Sequence, residues 1–185
     1  MENNIFDKSN ERYEQFMDYA EYVYPKHLNM REHETLIRYT ATFYDVLNKS
    51  LRTGKGLKES KIKQLDRAIS KFEFDGEGIV YRTLDIESFN LDAFLSDLDK
   101  GYIIERGYLS TSLNKMAKDK VYNVKFNIEV PDINVGAYIK FLSAYPEEKE
   151  FLIKRDTKMD ILDVTSRIDH KENKRKIYVK SRIVE

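Results

Sequence analysis

Three separated segments hold side chains whose types and spacing suit charge chemistry. Arg82 follows Tyr81 at the end of the apolar run Ile79-Val80, where a charge is costly unless it meets an anion. Ser110-Thr111-Ser112 offers three hydroxyls, and an extended backbone puts Ser110 and Ser112 on one face. Glu148 and Glu150 flank Lys149 just before the apolar Phe151-Leu152-Ile153. Two residues apart in an extended chain, those carboxylates point the same way, with Glu150 at the mouth of a strand and Glu148 on the preceding loop. Taken singly, each segment also has an ordinary reading: an ion-paired surface arginine, a turn or cap, and a solvated loop.

The elements that must position these residues change character along the chain. Tyr13, Phe16, Met17, Ala20 and Tyr24 recur at helical spacing until Pro25, which is expected to stop the helix. From Arg31 to Arg52, Leu36, Tyr39, Phe43, Val46 and Leu47 keep the same period. After the break Thr53-Gly54-Lys55-Gly56 a third helix carries Ile62, Leu65, Ile69 and Phe72 on one face. Asp75-Gly76-Glu77-Gly78 is a turn leading into a strand over Ile79–Arg82. A short helix is expected over Leu91–Leu98, and a brief helical segment near Met116-Ala117. Strict alternation over Asn123–Val130 marks the clearest strand, ended by Pro131. Further strands fit Gly136–Leu142, Glu150–Lys154, Met159–Val164 and Lys176–Val184, the last two separated by a polar turn. Helices first and strands afterwards imply an α+β domain with mostly antiparallel pairing.

Composition narrows the function classes. The 185 residues carry 32 Lys+Arg against 32 Asp+Glu, so no bulk charge draws the chain to nucleic acid or a membrane surface. With no cysteine, a disulfide scaffold, a thiolate metal site and thiol catalysis are excluded. Three scattered histidines, His27, His33 and His170, form neither a metal motif nor a triad, so no metal is expected. The first residues lack a signal-peptide pattern and no apolar run is long enough to span a bilayer, so a soluble chain is expected. The length suits one domain, residues 1–185, mainly helical over 1–74 and mainly β over 75–185.

Arginine, then Ser-Thr-Ser, then Glu-x-Glu at the start of an apolar strand resembles the Arg-Ser-Glu class of mono-ADP-ribosyltransferases, and within it the bacterial exoenzymes and their phage relatives. The likeness runs from about Leu36 to the C-terminus. The segment from Tyr39 through Tyr44 and Asn48 to Arg52 is similar to the helix that the family places beside its NAD site. Val80-Tyr81-Arg82 matches the aromatic-arginine strand, and Gly107–Ser112 the Ser-Thr-Ser strand. Val130-Pro131 through Gly136–Ile139 to Ser143–Glu150 follows the route into the substrate-recognition loop. The resemblance implies helices packed on two roughly perpendicular antiparallel sheets, with NAD as co-substrate in the cleft between them.

The same resemblance distributes roles. Glu150 would stabilise the oxocarbenium formed when nicotinamide leaves and would bond the ribose hydroxyl. Arg82 would hold the pyrophosphate, for which its planar fork suits better than lysine. Ser110 would position Glu150, with Thr111 and Ser112 supporting the strand, while Tyr44, Asn48 and Tyr39 would line the dinucleotide site. Glu148 would select arginine as acceptor by orienting and helping to deprotonate the guanidinium, and Tyr145 would contact the target. Tyr-x-x-Glu-x-Glu most resembles the arginine-specific branch, notably the enzymatic components of actin-modifying binary toxins, which makes actin one candidate target. Relatives carry an aromatic and an arginine between Ser112 and Asn123; here Lys115, Lys118, Lys120 and Tyr122 are the substitutes. A translocation component, an antitoxin or an immunity protein are further candidate partners, for an enzyme acting in the cytosol of a target or host cell. Three alternatives stand beside this reading. One is a nucleic-acid or other non-protein acceptor, for which Lys171, Lys174, Arg175, Lys176 and Lys180 could form a phosphate-facing patch, though such a run also suits a solvated hairpin edge. The others are NAD hydrolysis alone, and a non-catalytic domain of this fold.

Overall fold

The computed structural model describes residues 4–56, 58–87, 91–115, 122–170 and 174–184. The chain opens with α1 (Tyr13–Asp18), a π-helical turn (Tyr19–Val23) and α2 (Tyr24–His27). Phe16, Ala20 and Tyr24 are buried, as their spacing requires. Pro25 does not end this helix. It sits in the first turn of α2, just after the widened turn, where its missing N–H costs no hydrogen bond.

An Asn29/Glu32 capping box starts α3 (Met30–Arg38), which runs through a second π turn (Tyr39–Phe43) into α4 (Tyr44–Thr53). Gly54, with φ 68°, closes α4 in the left-handed conformation that glycine adopts freely. α5 (Glu59–Ser70) buries Ile62, Leu65, Ala68 and Ile69. Lys71 and the buried Glu32, 2.6 Å apart, tie its end to α3.

The second π turn changes which residues share a face. Its hydrogen bond runs from the Tyr44 N–H to the Tyr39 carbonyl, five residues back instead of four. Tyr39 therefore stands above Tyr44, and ordinary α-helical steps then bring Asn48 and Arg52 into the same column. The apolar stripe expected through Phe43 and Val46 is broken accordingly: Val46 is 54% exposed and Phe43 only partly covered, while Leu36 and Leu47 stay in the core.

Eight strands follow: β1 (Gly78–Leu84), β2 (Tyr102–Glu105), β3 (Leu109–Ser112), β4 (Val124–Val130), β5 (Gly136–Tyr138), β6 (Glu150–Ile153), β7 (Thr157–Asp169) and β8 (Lys174–Val184). α6 (Leu91–Leu98) precedes β2, at the expected place. Among the described residues the strands link in the order β2-β7-β8-β4-β1-β3-β6-β5. The link between β1 and β3 is a single residue pair, Tyr81 with Ser112. Five strands on one side and three on the other thus meet at that one pair, which joins the two groups into a single eight-stranded sheet. Pairing is antiparallel except for β4 with β8, which is parallel.

Other differences are local. The strand expected over Gly136–Leu142 stops at Tyr138, and Lys140–Leu142 forms a 3-10 turn. β7 reaches Asp169, beyond the Val164 limit expected, with a bulge at Leu162; its outer half is held by its ladder with β8 and buries little apolar surface. β2 is a short strand pairing only with β7 and has no clear sequence pattern. The segment around Met116-Ala117 lies outside the described residues. Helices and strands share one apolar core, in which Phe16 and Phe72 of the helical part meet Tyr138 and Phe151 of the sheet.

Candidate active site

The single-pair junction between β1 and β3 is where the ladder opens, and Arg82 is the next residue of β1 beyond it. Its Nη1 donates to the Ser110 carbonyl at 2.5 Å, which aims the guanidinium across the gap. Burial presses its pKa below the ordinary value, with Glu105 opposing and Arg52 adding to that pressure. A guanidinium stays protonated in a protein, so the strain of placing it there is relieved by an incoming anion.

The three hydroxyls of β3 divide their work. The Ser110 hydroxyl lies close enough to the Glu150 carboxylate to hold its pKa down. Thr111 Oγ1 donates to the Phe151 carbonyl at 2.6 Å, clamping β3 to β6 in the core. Ser112 Oγ donates to the Glu148 carbonyl at 2.6 Å and accepts from the Asn114 N–H, fixing the loop that precedes β6. The hydroxyls of Thr111 and Ser112 are thus committed to backbone.

Glu150 opens β6 opposite Ser112 and is 5% exposed. Desolvation lifts its pKa from 4.5 to about 7; the nearby Ser110 hydroxyl and Arg82 pull it down, while Glu148 pushes it up. The Glu148–Glu150 pair does not converge through an extended backbone, as its spacing suggested. Glu148 ends a 3-10 turn (Pro146–Glu148), and Lys149 has φ 48° and ψ 50°, a left-handed conformation rare for a side chain with a Cβ. This reversal, not strand alternation, turns both carboxylates into one hollow.

That hollow, about 290 Å³, is walled by Tyr39, Thr40, Tyr44, Asp45, Asn48 and Arg52 from the helix, Arg82 and Ser110 from the strands, and Tyr145, Glu148 and Glu150 from the loop and the start of β6. A second hollow of about 400 Å³ adjoins it, sharing Arg82, Ser110 and Glu148 and reaching Thr111, Ser112, Lys115 and Tyr122. Every residue given a role in the sequence reading, from Tyr39 to Glu150, borders one or the other. Lys115 and Tyr122 stand where the missing aromatic-arginine pair was sought, while Lys118 and Lys120 lie outside the described residues.

Asn48 and Tyr39 are part wall and part scaffold. The Asn48 amide donates to Tyr39 Oη and to the Tyr108 carbonyl, each at 3.1 Å, and accepts from the Tyr108 N–H at 2.8 Å. This pins α4 to the entrance of β3. A Cβ on Gly107 would lie 2.8 Å from Asn48 Oδ1, so only glycine lets the amide approach. Tyr39 is 1% exposed and packs edge-on against Tyr108.

Arg52 was not singled out by its sequence context. Its Nε and Nη2 grip Glu105 at 2.9 and 3.1 Å, and Glu105 also accepts from the Gly107 N–H. The available signal was its place four residues after Asn48. Two arginines beside one hollow, with their charges in mutual repulsion, fit a ligand with two negative charges such as a pyrophosphate. The C-terminal basic run is different: Arg175 meets Asp92 and Ser166, and Lys176 meets Asp169, along the β7–β8 hairpin.

The family model for the ADP-ribosyltransferase exoenzymes matches residues 14–185. The chain belongs to that family. It is 33% identical over 149 residues to the NAD(+)–arginine ADP-ribosyltransferase EFV of Enterococcus faecalis; the match takes in 69% of this chain but 29% of that protein. The fold matches Plx2a, an ADP-ribosyltransferase toxin of Paenibacillus larvae, with a TM-score of 0.78 at 23% identity, covering 95% of this chain and 96% of that one. It also matches an ADP-ribosyltransferase of Clostridium botulinum, with a TM-score of 0.73 at 23% identity, covering 93% and 96%. The hollow between α4, β1, β3 and β6 is thus the candidate active site of this member of the ADP-ribosyltransferase exoenzyme family. Among the described residues no helix is long and apolar enough to cross a membrane, and no group of three His, Asp or Glu side chains is placed to hold a metal ion.

Proposed function

We propose that this transferase moves ADP-ribose from NAD to an arginine side chain of a target protein. The observation that carries the reading is the convergence of Arg82, Glu148 and Glu150 on one hollow. Arg82, with Arg52 beside it, holds the pyrophosphate. The nicotinamide–ribose bond breaks with both electrons going to the nicotinamide nitrogen, which leaves as a neutral ring. The positive charge passes to the ribose, where the ionised Glu150, aligned by Ser110, stabilises it in a poorly hydrated site. An arginine nitrogen of the target then bonds the ribose carbon, and its proton goes to Glu148. Tyr145, 46% exposed at the rim, faces the approaching target.

Arginine as acceptor is supported by the second acid beside the first and by the activity for which the Enterococcus relative is named. Water entering in place of the acceptor gives NAD hydrolysis at the same site. Actin is a candidate target, and the cytosol of a target or host cell is the expected place of action.

The test is incubation with labelled NAD and either a host-cell lysate or purified actin. A labelled protein band removed by hydroxylamine supports an arginine linkage. Glu148→Gln is expected to abolish that band while nicotinamide release continues. Label that resists protease and yields to nuclease would overturn the arginine reading.

A further inference from the structure

The π turn that aligns the helical wall also reaches the loop carrying Tyr145 and Glu148. Thr40, inside that turn and 6% exposed, donates its hydroxyl to the Ile37 carbonyl and accepts from the Ala144 N–H, both at 3.0 Å. Ala144 immediately precedes Tyr145, and the chain then makes the 3-10 turn ending at Glu148. At its far end the same loop is tied to β3, by Ser112 Oγ at the Glu148 carbonyl and by the Leu113 N–H at the Lys149 carbonyl. The segment 144–149 is therefore stretched between two anchors, one on β3 and one on the helix that lines the dinucleotide side.

We infer that Thr40 is a positioning residue, a latch whose hydroxyl holds the acceptor loop against the helix and so sets where Tyr145 and Glu148 meet the incoming guanidinium. The inference rests on the arginine-transfer reading above. Thr40 borders the same hollow as Arg82 and Glu150, and three features separate the task of its hydroxyl from theirs. Both of its hydrogen bonds go to backbone, so the hydroxyl is occupied by the helix and the loop. Glu150 is held by the pairing of β6 with β3, which does not depend on Thr40. Ala144 is exposed, so water can replace the lost acceptor without leaving a buried N–H unpaired.

A Thr40→Val substitution keeps the shape and removes the hydroxyl. Losing one net hydrogen bond is expected to raise the KM for an arginine acceptor, or lower its transfer rate, by about fivefold. NAD cleavage to water is expected to fall less than transfer does, and Thr40→Ser to restore transfer. Amide hydrogen exchange of residues 143–149 supplies a readout that needs no acceptor: exchange is expected to quicken in the valine variant and return to normal in the serine variant, with residues 110–112 unchanged. Equal losses of transfer and NAD cleavage, or unchanged exchange in the loop, would overturn the latch. If the wild-type protein transfers nothing to arginine while the exchange difference is present, the acceptor assignment fails and the latch stands.

Discussion

Replacing Glu150 with glutamine separates what the acid does for the reaction from what it costs the fold. The carboxyl is 5% exposed and titrates near 7 against an ordinary 4.5. A raised carboxyl pKa means that the folded state binds the proton more tightly than the unfolded one. Stability is then least affected below pH 4.5 and falls as pH rises between 4.5 and about 7. At about 1.4 kcal/mol for each pH unit of that interval, the ionised group costs the fold about 3 kcal/mol at pH 8 and close to nothing at pH 4. Glu150→Gln keeps the shape and the Ser110 contact and removes the charge. Urea unfolding at the two pH values is expected to show the variant about 3 kcal/mol more stable than wild type at pH 8 and equal to it at pH 4. In a domain of this size that corresponds to a melting point raised by roughly 6–12 °C at pH 8. The same variant should lose NAD cleavage and transfer alike. A stability difference that does not change with pH, or a variant less stable at pH 8, would refute the picture of a charge held in a poorly hydrated site for the sake of the reaction.

Because Glu150 must be ionised to stabilise the sugar cation, kcat/KM for NAD cleavage should fall as pH drops through about 7 and level off above it, measured by nicotinamide release. Arg82→Lys keeps the charge but loses the planar fork, and should raise the KM for NAD by tenfold or more with little change in melting temperature. Lys149→Val puts a β-branched residue at φ 48°, which should cost about 1–2 kcal/mol by thermal melt and reduce transfer more than NAD cleavage, because Glu148 is displaced while β6 holds Glu150.

Much of the site is legible in the sequence because its parts are local. Arg82, Ser110–Ser112 and Glu148–Glu150 are short segments in or beside short strands rich in apolar or hydroxyl residues, and Tyr44 and Asn48 share a face by the ordinary helical step. What escapes is backbone geometry without a side-chain signature. Nothing in Tyr39-Thr-Ala-Thr-Phe43 announces a widened turn, yet that turn exposes Val46 and brings Tyr39 and Arg52 into one column with Tyr44 and Asn48. Lys149 is a poor candidate for a left-handed residue on type alone, and the strand rule gave the right convergence of the two acids for the wrong reason. Pro25 looked like a stop because the preceding π turn was invisible. β2 and the outer half of β7 were missed or shortened because ladder hydrogen bonds, not buried apolar faces, hold them.

The account depends on one dinucleotide touching Arg82 and Glu150 together. Crystals of the Glu150→Gln variant soaked with NAD would test this directly, since the bound molecule should stay uncleaved. Density is expected with the pyrophosphate against the Arg82 guanidinium and the nicotinamide ribose beside position 150. NAD bound with its phosphates away from Arg82, or its ribose out of reach of position 150, would contradict the account.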